Sequence, residues 1–69
     1  MKLSARNVLK GTVAGIEKGA VNAIVRIDIG GGVIVTSSVT NAAVDDLGLA
    51  VGEAAYAVIK ASDVMVGRD

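Results

Sequence analysis

From Val21 to Ile29 the chain alternates with a period of two. Val21, Ala23, Val25, Ile27 and Ile29 fall on one side, with Asn22, Ile24, Arg26 and Asp28 on the other. Successive side chains point to opposite faces only in extended backbone, so this stretch is a half-buried strand. Gly30-Gly31-Gly32 interrupts it. The next run, Val33-Ile34-Val35-Thr36-Ser37-Ser38-Val39-Thr40, is rich in β-branched residues and places Val33, Val35 and Val39 two or four positions apart. Glycines supply the positive φ that tight strand connections demand, so the two runs predict an antiparallel hairpin.

The remaining elements follow by the same reading. Val8 to Ile16 has a looser period of two and ends at the turn-like Glu17-Lys18-Gly19, which makes it the first strand. Asn41 is placed to cap a short helix over Ala42 to Leu47, with Asp45 and Asp46 as solvated surface and Gly48 closing it in the left-handed conformation. After a turn at Leu49 to Gly52, the run from Ala54 to Lys60 alternates Ala55, Ala57 and Ile59 against Tyr56 and Val58. Val64-Met65-Val66 reads as a fifth strand. The expected fold is all-β: a five-stranded OB-fold-like Greek-key barrel with one short helix between strands 3 and 4, in which closure removes exposed edges. Residues 1–69 are expected to form one domain.

A chain of 69 residues buries a small core, about 60% of its unfolded surface, so some further source of stability is needed. Disulfides and thiolate metal sites are excluded because there is no cysteine. Histidine is absent too, and the apolar residues are mostly Val, Ala and Ile, which bury little each. Subunit association is the remedy left, and an oligomer is expected.

Seven basic residues balance seven acidic ones, so nothing favours a run of phosphates, and Tyr56 alone offers too few stacking platforms for single strands. No nucleic-acid partner is expected. The opening Met1-Lys2-Leu3-Ser4-Ala5-Arg6-Asn7 lacks the apolar stretch of a signal peptide, and later apolar runs are broken by Arg26, Asp28 and the triple glycine. A cytoplasmic protein without membrane association is expected.

Without His or Cys the commonest general bases and thiol nucleophiles are missing, and the carboxylates do not cluster, so no enzyme and no direct metal-cation ligands are expected. The triple glycine lacks the spacing of a dinucleotide loop and the Lys-Ser/Thr of a triphosphate loop, which leaves it a turn. Two other segments suit an anion: Ser4-Ala5-Arg6-Asn7 and Lys60-Ala61-Ser62 each join a cation to small hydrogen-bonding residues at a strand edge. A guanidinium fork, an ammonium, hydroxyls, an amide and free backbone N–H groups together meet the needs of a tetrahedral oxyanion. Composition alone favours the other reading of Arg6 and Lys60, as ordinary surface cations.

Nearly the whole chain resembles the molbindins, the Mop domain family of small molybdate-binding proteins. The resemblance lies in Met1-Lys2-Leu3-Ser4-Ala5-Arg6-Asn7 with Leu9-Lys10-Gly11, in Lys18-Gly19-Ala20-Val21-Asn22-Ala23, in Asp46-Leu47-Gly48-Leu49, and in Ala57-Val58-Ile59-Lys60-Ala61-Ser62-Asp63-Val64-Met65, four blocks in order. It implies a homo-oligomer, a hexamer built as a trimer of dimers, with molybdate or tungstate held between subunits as ligand and no cofactor. Carried over by position, Ser4, Ala5, Arg6 and Asn7 of one subunit would face Lys60, Ala61 and Ser62 of a neighbour. A second class of site would lie around Lys18, Gly19, Ala20 and Val21.

Molybdate at neutral pH is a dianion that accepts and never donates, so a pocket without a carboxylate acceptor disfavours protonated phosphate, provided Asp63 points away. The implied role is intracellular molybdenum storage or homeostasis. The alternative is a non-catalytic protein-interaction or structural barrel whose cationic edge meets an acidic partner, and an oligonucleotide-binding barrel is opposed by charge and composition.

Overall fold

One long strand, β1 (Asn7–Lys18), organises the computed structural model, which describes residues 1–69. Its first half, Asn7 to Thr12, pairs antiparallel with β4 (Ala54–Ile59), and its second half pairs antiparallel with β2 (Asn22–Asp28). β2 in turn pairs with β3 (Ile34–Thr40), giving the sheet order β3-β2-β1-β4. The pairing with β2 carries an irregularity: Val13 faces Ile27 and Gly15 faces Arg26, so Ala14 is an extra residue in β1, a bulge that bends the strand and increases local twist. Gly11 allows the close approach beside it, since a Cβ there would lie 2.4 Å from the Asp28 carbonyl oxygen.

The expected hairpin is present. Asn22 pairs with Thr40 and Asp28 with Ile34, while Gly30, Gly31 and Gly32 all take positive φ in the turn. The Asp28 carboxylate accepts from the Gly30 amide at 2.8 Å and helps to close it.

The core gathers inside the curl. Val13, Ala23, Val25, Ile27, Ala55 and Ala57 come from the inner faces of β1, β2 and β4, and Val44 from α1 (Asn41–Leu47), with Ile16, Ile29, Val35, Val39 and Leu49 packed around them. The alternation seen from Ala23 to Ile29 is the alternation of this inner face; Val21, at its start, is exposed. Gly48 ends α1 in the left-handed conformation, and Leu49 donates back to the Val44 carbonyl.

Two expectations are corrected. The helix is capped by Thr40, whose hydroxyl accepts from the Ala43 amide at 3.0 Å. Asn41 is unavailable for that task because its side-chain amide reaches across to the Gly19 carbonyl at 2.9 Å. Nor is there a fifth strand: a 3₁₀ turn at Ala61–Asp63 carries the chain off the sheet after β4, and Val64, Met65 and Val66 are 49%, 94% and 94% exposed. A strand exists only against a partner, and within one chain these residues have none. The fold is therefore a four-stranded, curled antiparallel sheet with one short helix.

Much is left open. The 34 backbone–backbone hydrogen bonds fall short of the roughly 45 to 50 usual for this length. A gap of about 260 Å³ separates β3, at Val35 to Ser37, from β4, at Tyr56 to Ile59. A larger apolar cavity of about 360 Å³ opens beside it, lined by residues that include Met1, Leu47, Leu49 and Tyr56. No helix is long and apolar enough to cross a membrane.

Candidate functional site

The two segments singled out for an anion meet at one end of the sheet. Asn7 opens β1 opposite Ile59, the last residue of β4, so Ser4 to Arg6 run in beside the point where Lys60 to Ser62 run out. Asn7 ties the two together, its side-chain amide donating to the Ile59 carbonyl at 3.2 Å. Both sets therefore lie side by side within a single chain.

The donors at this end are unspent. Arg6 and Lys60 are exposed, and neither takes part in an ion pair. Backbone amides of Ser4, Ala5, Arg6, Ala61 and Ser62 find no acceptor in the chain, because the 3₁₀ turn uses only the amides of Asp63 and Val64, donated to Lys60 and Ala61. The carboxylate of Asp63 is exposed and pairs with neither cation. Two positive charges, two serine hydroxyls and a set of open N–H groups lie at the end of the sheet where β1 begins and β4 ends. Such a set can bind an oxyanion.

Lys18, Gly19, Ala20 and Val21 sit at the far end of β1, in the loop that leads to β2. This loop is fastened to α1. Asn41 contributes two bonds, its side chain donating to the Gly19 carbonyl and its backbone amide to the Val21 carbonyl at 2.7 Å. The Gly19 amide donates to Asn22 at 2.7 Å, whereas the amides of Ala20 and Val21 have no acceptor in the chain. Lys18 is engaged: its ammonium lies 2.7 Å from a carboxylate oxygen of Asp45.

Asp45 was expected to be solvated surface along with Asp46. It is exposed, but it is also the counter-ion of the one cation in the second segment, a role the expectation missed. The available signal was spacing. Asn41 and Asp45 are four residues apart on a helix and share a face, and that face meets the β1–β2 loop.

A family model described as the TOBE domain matches residues 3–66. A probable molybdenum-pterin-binding protein of Haemophilus influenzae is 64% identical over 67 residues, covering 97% of both chains. Among solved structures, a molybdate-binding protein from Sporomusa ovata is 37% identical with a TM-score of 0.91, covering 99% of this chain and all of that one. ModG, described as a cytoplasmic molybdate-binding protein and solved with molybdate bound, is 57% identical with a TM-score of 0.89; the match covers 94% of this chain and 46% of ModG.

Proposed function

Because this chain belongs to the TOBE-domain family and, within it, to the molbindin (Mop) proteins, we propose that it binds molybdate, and tungstate by the same chemistry, at sites completed between subunits of a homo-oligomer. The observation that carries the reading is the free-cation end of the sheet, where Arg6 and Lys60 stand unpaired beside five open amides. Molybdate is the ligand, held as an intact oxyanion, and no cofactor takes part. The protein binds; it does not catalyse. Its relatives are likewise molybdenum-pterin-binding and molybdate-binding proteins.

The two segments lie side by side in one chain, and the main site forms where this end of one copy abuts the same end of another, so that Ser4, Ala5, Arg6 and Asn7 of one subunit face Lys60, Ala61 and Ser62 of a neighbour. Arg6 presents its planar fork, Lys60 a point charge, and Ala5 and Ala61 act through main chain alone. With Asp63 turned away from the anion no carboxylate faces the site, so the aprotic dianion is favoured over hydrogen phosphate, whose proton would lack a carboxylate acceptor. Lys18, Gly19, Ala20 and Val21 form the second class of site.

Assembly is a hexamer, a trimer of dimers. Supporting association are the gap between β3 and β4, the bare Val64 to Val66 tail, and exposed Leu47 and Val51, apolar surface that a neighbouring subunit would cover. Association covers that surface and completes the four-stranded curl as an OB-type barrel, with residues 1–69 acting as one Mop domain. Since the sites exist only in the assembly, ligand stabilises the oligomer by mass action. The role that follows is cytoplasmic storage and buffering of molybdenum.

Equilibrium dialysis against molybdate, with sedimentation of the same samples, tests the reading. Saturable uptake by a species six chains in mass is the expected result. A folded monomer that takes up molybdate refutes the intersubunit site, and a folded oligomer that takes up none refutes the ligand.

A further inference from the structure

The two ends of β1 carry the same kind of donors in opposite electrostatic states. At the Asn7 end both cations are without a counter-ion, while at the Lys18 end the ammonium is held at 2.7 Å by Asp45. The pairing is built in rather than a chance meeting of two flexible side chains. Asp45 stands on α1 one turn beyond Asn41, and Asn41 fastens that helix to the loop through the carbonyls of Gly19 and Val21. The carboxylate is thereby positioned beside the very loop whose Ala20 and Val21 amides are open.

We infer that Asp45 sets the affinity order of the two classes of site, acting as a resident counter-anion that makes the Lys18 loop fill after the Ser4 to Asn7 end. The inference rests on the reading of Lys18 to Val21 as an oxyanion site. A dianion on the loop meets the ammonium with a fixed negative charge about one ion-pair distance behind it, so much of the attraction is cancelled. The ammonium still has protons to offer, because a carboxylate oxygen takes one of three. Binding is consequently weakened without being abolished. One protein then offers two tiers of capacity: a tight one used first, and a looser one that engages as the free anion accumulates.

The test is calorimetric titration with molybdate in an Arg6→Ala/Lys60→Ala background, which lowers the first class by about a hundredfold or more and leaves the loop to report. Asp45→Asn keeps an acceptor for the ammonium while removing the charge. It is expected to tighten loop binding about fivefold at low ionic strength, the gain fading near 1 M salt as screening reaches about 3 Å. Asp46→Asn makes the same change of charge on the neighbouring residue, which has no ion pair, and is expected to stay within about twofold. Lys18→Gln reports on the site itself and is expected to weaken it. If Lys18→Gln weakens binding but Asp45→Asn leaves it unchanged or weaker, the counter-anion role is overturned while the site stands. If the Arg6→Ala/Lys60→Ala background binds nothing, with or without Asp45→Asn, the loop is not a site and the inference falls with it. A fivefold gain that persists at high salt, or one matched by Asp46→Asn, also overturns it.

Discussion

The two ends of β1 differ in what holds them and in what they leave free. At the Asn7 end the backbone leaves the sheet on both strands, one side-chain bond from Asn7 to Ile59 links them, and the donors and cations remain open. At the Lys18 end the loop is bound to α1 by Asn41 twice and by the Lys18–Asp45 pair once. Order and availability trade against each other along one strand. The loosely tied end keeps its charge unpaired, whereas the tied end has spent part of its charge on its own architecture.

The sharpest way to break this contrast is to remove both free cations. Arg6→Ala with Lys60→Ala is expected to lower molybdate affinity at the first class by a hundredfold or more, since hydrogen bonds to charged groups contribute about 1.5–3 kcal/mol each. Circular dichroism is expected to report an intact sheet, because both residues lie outside the packed face. An unchanged dialysis result would remove the Asn7 end from consideration.

Next in size is a change that harms both ends together. Gly11→Ala forces a methyl to within 2.4 Å of the Asp28 carbonyl, between the two ends, and is expected to cost about 1–3 kcal/mol in denaturant unfolding, the usual range for overpacking. Loss of binding at one end alone in this variant would contradict the role of β1 as their common support.

Smaller effects separate the ends. Thr40→Ala deletes the helix cap and is expected to cost about 1 kcal/mol, read as a lower thermal midpoint. By loosening α1 it is expected to disturb the Lys18 loop and spare the Asn7 end. Lys18→Gln is expected to weaken the second class by less than about tenfold, an exposed pair being worth little, and to leave the first class unaltered in competition dialysis.

How much of this could be read in advance depends on the range of the interaction. The β2–β3 hairpin, its glycine turn, the Gly48 terminus and the run of β4 are local patterns, set by period, β-branching and positive φ, and they stand in the structure where the sequence places them. Features that depend on a distant partner were not legible. The Ala14 bulge lies just past the point where β1 stops pairing with β4 and continues with β2, and no residue type in β1 announces it. Gly11 looks like any strand glycine until the Asp28 carbonyl is seen against it.

The fifth strand failed for a related reason: Val64-Met65-Val66 has the composition of a strand, but composition does not provide the neighbour. At the candidate site, the cations and hydroxyls of Ser4 to Asn7 and Lys60 to Ser62 were visible as residue types, and their side-by-side placement follows from the β1–β4 register. The Asp45 counter-ion was hidden because Lys18 is 27 residues away from it. The Thr40 cap was masked by Asn41, a better capping residue on paper that is drawn elsewhere by Gly19.

The most direct test of the account is a crystal structure of the protein grown with molybdate, with the molybdenum located by its anomalous signal. The expected result is a strong peak within hydrogen-bonding reach of Arg6 and the Ala5 amide of one subunit and of Lys60 and Ser62 of another. Molybdenum found only elsewhere, for instance in the Gly30 to Gly32 turn or the apolar cavity, would contradict it.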